Sequence, residues 1–234
     1  MKGTPAAIGV ICAIIACPAT AFALDNCPRL PDPPKKAASQ PDKPRPPPEF
    51  LVRTGGDSDQ GGRLVFLGDS LTAGSTASSP EFRLAPQVSD LYGGRRYESY
   101  ANGGLTSTQI RNLASRESFP PDAVVIIWAG RNNAGKPDVV AADVQAIVDQ
   151  IAPRRYLVLS VLHPLFDAGY TPGDPEYEGY ARVNRKLAET FPHNFVVVGA
   201  DFECGDRADN THPDDSGYTK VAAAVHAALQ ERGW

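Results

Sequence analysis

The feature that most restricts the fold is a regular alternation of short apolar runs and helix-like stretches between residues 63 and 234. The runs are rich in β-branched and aromatic residues, and several are too continuously apolar for a sheet with one face in water. They cover residues 63–68, 95–101, 123–130, 155–162 and 194–200, and helices are predicted over 81–92, 107–116, 138–151, 176–190 and 216–231. Strands that alternate with helices form a parallel sheet covered on both faces. We therefore predict one α/β domain over 63–234, a three-layer α/β/α sandwich around a central, mostly five-stranded parallel sheet.

The first residues, MKGTPAAIGVICAIIACPATAFALD, have the composition of a targeting segment. A lysine precedes an apolar run that closes on Ala-Phe-Ala at Ala23, which predicts a signal peptide over residues 1–23 and a secreted or periplasmic protein. The run is too short for a membrane-spanning helix. The stretch Ile14-Ile15-Ala16-Cys17 also resembles the lipobox of bacterial lipoproteins, so a lipid anchor at Cys17 in a bacterial envelope is the alternative.

Residues 24–62 are predicted to be a disordered linker rich in proline and glycine. Nine prolines lie between residues 28 and 48, and TGGDSDQGG follows at 54–62. Such a segment cannot bury enough apolar surface to fold by itself. If cleavage follows Ala23, Cys27 and Cys204 are the cysteines that remain, and in an exported protein they either form a disulfide or stay free thiols.

The net charge of −4 argues against nucleic-acid binding, because contacts to phosphates need a basic face. Small or neutral partners are expected instead. The sequence gives no indication of the oligomeric state.

Ser70 has the clearest chemical setting, in VFLGDSLTAG at 65–74. It follows an apolar strand directly, and ligand sites of parallel sheets lie beyond the carboxyl ends of the strands. Its N–H opens a helix, where unsatisfied donors favour negative charge. This is a position suited to a nucleophile, although a helix N-cap serine is the alternative. The neighbouring Asp69 is expected to hold the loop by hydrogen bonds.

A serine nucleophile needs a base, and the chain has four histidines. In ADNTHPDDSGY, Asp209 precedes His212 by three residues, so its carboxylate can reach Nδ1 and leave Nε2 free to take a proton. His163 follows the fourth strand and is a weaker candidate for a pocket role. His193 and His226 are interpreted as a loop residue and a helix residue.

Donors for an oxyanion are expected at the same sheet edge. Gly103 and Gly104 follow the second strand, where a missing Cβ lets a backbone N–H approach a substrate, and Asn132 and Asn133 follow the third. No histidine cluster has ligand spacing and no phosphate-binding glycine fingerprint follows a strand, so no metal or cofactor is predicted.

Taken together, these motifs resemble the four blocks of the SGNH hydrolases, also called the GDSL family, in the expected order over residues 63–234. GDSL at 68–71 resembles the first block and implies Ser70 as the nucleophile. GGLTS at 103–107 resembles the second, which implies the Gly104 N–H as an oxyanion donor. A register counted from Asn102 would place the backbone amide of Ser107 there instead.

The third and fourth blocks complete the resemblance. GRNN at 130–133 is similar to G-x-N-D, which implies the Asn132 side chain as an oxyanion donor and leaves Asn133 where the family has aspartate. DNTH at 209–212 resembles D-x-x-H, with Asp209 orienting His212 as the base. The family's flavodoxin-like α/β/α fold is the one predicted above.

The resemblance implies a carboxylic ester hydrolase that transfers the acyl group to Ser70, with the oxyanion held by Ser70 N–H, Gly104 N–H and the Asn132 amide. A small domain without an apolar lid favours short acyl groups, and export favours polysaccharides, so acetyl esters on carbohydrate are expected. A lipid-directed esterase, such as a lysophospholipase or thioesterase, is the first alternative. A surface binding module that does not use these residues is the second.

Two further features bear on the substrate. The connection at 163–180 looks like an added pocket wall, and its aromatic residues can line a sugar platform or an acyl groove, or pack against the rim: Phe166, Tyr170, Tyr177 and Tyr180. Arg131 either meets a substrate carboxylate, such as that of a uronic acid, or braces its loop.

Overall fold

The computed structural model describes residues 52–59, 61–151, 155–163, 173 and 175–234. The predicted signal peptide at 1–23, Cys17, Cys27 and most of the predicted linker lie outside these residues. So do Phe166 and Tyr170 of the predicted pocket wall. Statements about these residues stay predictions.

A mixed sheet of six strands forms the middle layer, in the order β1-β3-β2-β4-β5-β6. Strands β2 to β6 pair in parallel, whereas β1 runs antiparallel to β3. The strands are β1 (Val52–Gly55), β2 (Leu64–Gly68), β3 (Tyr97–Ala101), β4 (Val124–Trp128), β5 (Arg155–Leu159) and β6 (Phe195–Val196). The α/β/α fold class predicted from the sequence is confirmed, with one strand more than expected.

Six α-helices cover the two faces of the described sheet. They are α1 (Ser70–Ala73), α2 (Leu84–Leu91), α3 (Ser107–Ala114), α4 (Pro137–Ile151), α5 (Pro175–Thr190) and α6 (Asp215–Glu231). One core packs α3, α4 and α5 against the sheet, and the other packs α1, α2 and α6 against the opposite face. Both central strands, β2 and β4, are buried along their whole length for this reason.

The boundary predicted at residue 63 is wrong, because the fold begins at Val52 within the described chain. Strand β1 pairs with β3, and Arg95, which is 1% exposed, donates through Nε to the Gly62 carbonyl at 2.6 Å and through Nη2 to the Gly61 carbonyl. Apart from Val52, residues 52–62 are glycine and polar residues typical of a loop. Pairing with a distant strand edge supplies the order that local propensity does not.

Cys204 begins a short 3-10 turn, Cys204–Asp206, and is disulfide-bonded. The partner predicted for it, Cys27, lies outside the described residues, so this pairing stays a prediction.

Candidate active site

Ser70 stands at the carboxyl edge of the sheet because β2 turns into α1 at this point. Asp69 caps α1, its Oδ1 accepting the Leu71 N–H at 3.0 Å, and Gly74 ends the helix in the left-handed conformation. A Cβ on Gly68 would overlap Thr72 Oγ1, so glycine is required for the tight strand-to-helix turn. The turn thus holds the Ser70 hydroxyl at the end of the central strand β2.

A continuous chain of hydrogen bonds joins Ser70, His212 and Asp209. Ser70 Oγ lies 2.9 Å from His212 Nε2, and His212 Nδ1 lies 2.9 Å from Asp209 Oδ2. The first pair is separated by 142 positions in sequence, so the fold brings it together, whereas the second is set by the D-x-x-H turn. The structure therefore brings together the three residues that the sequence predicts as a triad.

The Asp209 carboxylate is kept ionised by its neighbours. Burial acts to raise its pKa, but hydrogen bonds from the His212 ring and from the backbone N–H groups of His212 and Thr211 outweigh burial and lower the pKa to about 2. Both N–H groups reach Asp209 Oδ1 at 2.7 Å. A charged carboxylate on Nδ1 leaves Nε2 as the unprotonated nitrogen, facing the serine.

Two arginines hold the loop that carries His212. Arg207, which is 6% exposed, donates to the carbonyls of Thr211 at 3.0 Å and His163 at 2.9 Å. Burial, and next the charge of Arg131, lower its pKa to about 10. Arg131 donates to Thr211 Oγ1 at 3.0 Å and lies over the Tyr180 ring at 4.2 Å. Arg131 thus braces the loop, the second of the two roles considered for it from sequence.

Asn132 connects the third sequence block to the nucleophile turn. Its Nδ2 donates to Asp69 Oδ2 at 3.0 Å and to the Leu105 carbonyl at 2.9 Å. Asp69 is fully buried, and burial raises its pKa to about 6 although the Leu71 N–H and the charges of Arg131 and His212 act in the opposite direction. Asp69 therefore holds the loop as expected, through the Asn132 amide as well as through α1.

The two glycines of the second block lie beside the serine. A Cβ on Gly103 would come within 3.9 Å of Ser70 Cβ, and Gly104 has φ +79° with open space where its Cβ would be. The Ser107 N–H, the alternative donor, is directed instead to Asn133 Oδ1 at 3.1 Å. Of the two registers, the geometry favours Gly104.

The amide of Asn133 has a structural use that an aspartate could not fill. Its Nδ2 donates to Ser107 Oγ at 2.8 Å, and Ser107 Oγ donates in turn to Asp143 Oδ2 at 2.7 Å. Asp143 is 2% exposed and is paired with Arg111 at 2.7 Å. A carboxylate at position 133 could not donate to Ser107 and would add a second negative charge to this buried network. The departure from the family pattern at Asn133 thus suits a chain that carries its carboxylate at Asp143.

A groove of about 250 Å³ opens beside Asn132. Its lining is mostly short or polar: Arg131, Asn132, Asn133, Ala134, Gly135, Pro175, Gly179 and Tyr180. Tyr180 is 4% exposed and packs under Arg131, so it is part of the core and not a platform. His163 lies against Tyr177, and burial followed by the charge of Arg207 lowers its pKa to about 4, so it is neutral.

Within the described ranges, no three or more histidine, cysteine, aspartate and glutamate side chains are grouped to hold a metal ion. In that same part of the chain, no helix combines the length and the apolar character that crossing a membrane requires.

The comparison with known families agrees with the site. The model of the GDSL-like lipase/acylhydrolase family matches residues 66–220, a range that contains Ser70, Asn132, Asp209 and His212. The chain belongs to this family. The resemblance stated from sequence is therefore confirmed, and the protein is a carboxylic ester hydrolase of the GDSL type.

Solved structures share the fold of this GDSL hydrolase at low sequence identity. A carbohydrate acetylesterase from Sinorhizobium meliloti is 18% identical with a TM-score of 0.58, covering 73% of this chain and 99% of that one. A lipase/acylhydrolase from Enterococcus faecalis is 19% identical with a TM-score of 0.57, covering 73% and 96%. An acetylxylan esterase from Geobacillus stearothermophilus is 16% identical with a TM-score of 0.53, covering 74% and 94%. No curated protein matches the chain.

Two residues that shape the site were missed from sequence, Arg207 and Asp143. Their partners lie in other elements, and an arginine in a loop or an aspartate on a helix is ordinarily a surface residue. Only the fold shows that both are buried.

Proposed function

We propose that the chain hydrolyses short acyl esters, acetyl esters on carbohydrate in particular, by acyl transfer to Ser70. The observation that carries this proposal is the hydrogen-bonded series from Ser70 Oγ through His212 to Asp209, with 2.9 Å at each step. A serine hydroxyl with an imidazole nitrogen at this distance, the ring itself held by a carboxylate, is the arrangement that activates an alcohol for attack.

In the first step, Ser70 Oγ forms a bond to the ester carbonyl carbon while His212 Nε2 takes the hydroxyl proton. The carbonyl oxygen becomes an oxyanion, which we assign to the N–H groups of Ser70 and Gly104 and to the Asn132 amide. Both hydrogens of that amide already have acceptors, Asp69 Oδ2 and the Leu105 carbonyl. Its donation to the oxyanion therefore requires that one hydrogen be shared with the substrate oxygen.

In the second step, the tetrahedral intermediate collapses and the bond to the leaving alcohol breaks, as His212 returns the proton to that oxygen. Water then enters, loses a proton to His212 Nε2 and attacks the acyl-enzyme. The bond between the acyl carbon and Ser70 Oγ then breaks, His212 gives its proton to Oγ, and the carboxylic acid leaves. Asp209 stays ionised throughout and stabilises the imidazolium that forms in each step.

The groove beside Asn132 supports the choice of substrate. Asparagine and arginine side chains suit the hydroxyl groups of a sugar better than an alkyl chain. Two of the structural neighbours are named as a carbohydrate acetylesterase and an acetylxylan esterase. We carry acetylated glycans over from these names as the substrate class to test.

Export is part of the proposal and rests on the sequence of residues 1–23 alone. Mass spectrometry of the mature N-terminus tests it. A chain that begins after Ala23 supports secretion, and a diacylglyceryl-modified Cys17 supports the lipid-anchored alternative.

Initial rates on p-nitrophenyl esters from acetate to palmitate, and acetate release from acetylated xylan, test the proposed activity. We expect turnover of acetate and butyrate, acetate release from the glycan, and neither activity in Ser70→Ala. A preference for long acyl chains would support the lipid-directed alternative and contradict the substrate assignment. A folded protein that cleaves none of these esters would support a binding module.

A further inference from the structure

Two arginines that form no ion pair with any residue the structure describes face a small cavity behind the nucleophile helix. The cavity has a volume of about 40 Å³ and lies between β1, β3, α1 and the start of α2. Arg53 on β1 and Arg83 just before α2 line it, together with Thr72, Ala73, Pro80, Ala85, Pro86, Tyr97 and Ser99. None of His212, Asp209 and Asn132 belongs to this lining, so the cavity is separate from the candidate active site.

The sequence places both cations here for different reasons. Arg53 pairs across the sheet with Ser99, which pairs in turn with Phe66, so all three side chains lie on the face covered by α1, α2 and α6. The aliphatic part of the Arg83 side chain packs closely against Gly74, so that a Cβ on Gly74 would overlap the Arg83 Cγ atom. The backbone thus directs two guanidinium groups to one side of α1.

The buried nitrogens of these arginines lack acceptors in the described part of the chain. Arg53 Nη1 and Arg83 Nε are both inaccessible to solvent and have no hydrogen-bond partner. Among the described residues, no carboxylate lines the cavity and none forms an ion pair with either arginine. Buried N–H groups are ordinarily satisfied, so this pair points to a missing acceptor.

An anion meets the requirement better than water does. Burial, and next the charge of Arg83, lower the pKa of Arg53, which shows that the two cations repel each other. Water can accept the hydrogen bonds but leaves two like charges close together, whereas an oxoanion accepts them and cancels the repulsion. The cavity has room for roughly three water-sized groups, which is the size of a carboxylate or phosphate head.

We propose that Arg53 and Arg83 form a binding site for a small oxoanion, a carboxylate or phosphate group, behind the helix that carries Ser70. Arg53 Nη1 and Arg83 Nε donate to different oxygens of the ligand, and Tyr97 and Ser99 line the same cavity. The carboxylate and the phosphate share this chemistry and are separated by the choice of probe.

Thermal unfolding of the purified protein with sodium phosphate, sodium acetate or sodium chloride at matched ionic strength tests the site. We expect a saturable rise in Tm with phosphate or acetate beyond that with chloride, about 5 to 10 °C at a hundredfold excess over Kd. Response to one of the two oxoanions alone identifies the ligand as tetrahedral or planar. Equal responses to all three salts would overturn the proposal.

Arg53→Gln and Arg83→Gln are expected to lose the specific rise in Tm, and Arg116→Gln, which removes an exposed arginine outside the cavity, is expected to keep it. Arg53→Gln is also expected to keep its Tm in chloride buffer without phosphate or acetate, because it removes one of two mutually repelling cations. If Arg83→Gln fails to fold because its stem packs against Gly74, Arg53→Gln decides the question. Retention of the phosphate or acetate response in Arg53→Gln would refute the site.

Discussion

Replacement of Asn132 by alanine removes one amide that serves two purposes. In the proposed mechanism the amide is one of three donors to the oxyanion. In the structure it also donates to Asp69 Oδ2 at 3.0 Å and to the Leu105 carbonyl at 2.9 Å. Because Asp69 is fully buried, its carboxylate has no solvent to replace the lost donor.

The two effects have different magnitudes and can be measured separately. Loss of one oxyanion donor lowers kcat by roughly 10²- to 10³-fold, or about 2.7–4 kcal/mol of transition-state stabilisation. An unsatisfied buried acceptor costs about 1–3 kcal/mol of stability, which lowers Tm by several degrees in a domain of this size. We therefore expect Asn132→Ala to fold, to melt a few degrees lower and to lose at least about 100-fold in kcat.

Asn133→Ala is the matched control. Asn133 also makes two hydrogen bonds through its amide, but both go to Ser107, at 2.8 and 3.1 Å, and neither reaches the nucleophile turn. The Tm of Asn133→Ala, from thermal unfolding, should fall about as far as that of Asn132→Ala. Its kcat on p-nitrophenyl acetate should stay within about tenfold of that of the native protein. Equal kcat in the two variants, or an unchanged kcat in Asn132→Ala, would refute the assignment of Asn132 to the oxyanion.

Three more predictions follow from the charges around the site. The pKa of Asp69 is raised to about 6, so its contribution to stability is present below pH 4 and is lost as the pH rises through 6. The contribution is about 3 kcal/mol of unfolding free energy. Asp69→Asn should abolish this part of the difference in unfolding free energy between pH 4 and pH 7, measured by urea unfolding. The same difference in the variant as in the native protein would contradict the raised pKa of Asp69. Asn133→Asp should destabilise the domain at pH 8 by about 1–3 kcal/mol, because the new carboxylate repels Asp143 and cannot donate to Ser107. The lost stability should return on acidification. Equal stability of the variant at pH 8 and pH 5 would contradict the expected repulsion. Arg207→Leu should lower Tm by several degrees and reduce kcat/KM, because the carbonyls of Thr211 and His163 lose their donor. A Tm and a kcat/KM equal to those of the native protein would show that the His212 loop does not depend on Arg207.

Much of the fold can be predicted from the sequence, because the central parallel strands are buried on both faces and therefore consist of continuous apolar runs. Strands β2 and β4 and helix α4 lie within a residue or two of their predicted bounds for this reason. Strand β1 cannot be found in this way, because VRTG has no apolar pattern and forms a strand only against the edge of β3.

The same distinction holds within the site. Ser70 and the pair of Asp209 and His212 can be found from sequence because each lies in a short local motif next to a strand end. Arg207 and Asp143 act through partners in other elements, and the two cavity arginines are brought together from different elements by the fold. Their burial follows from tertiary packing, which leaves no local pattern.

Labelling with a fluorophosphonate, which forms a stable adduct with activated serines, tests the central claim most directly. Peptide mapping by mass spectrometry should place the adduct on Ser70 in the native protein. The Ser70→Ala variant should take up none, and His212→Ala should react far more slowly because Ser70 then lacks its base. An adduct on another residue, or esterase activity that persists in Ser70→Ala, would contradict the account.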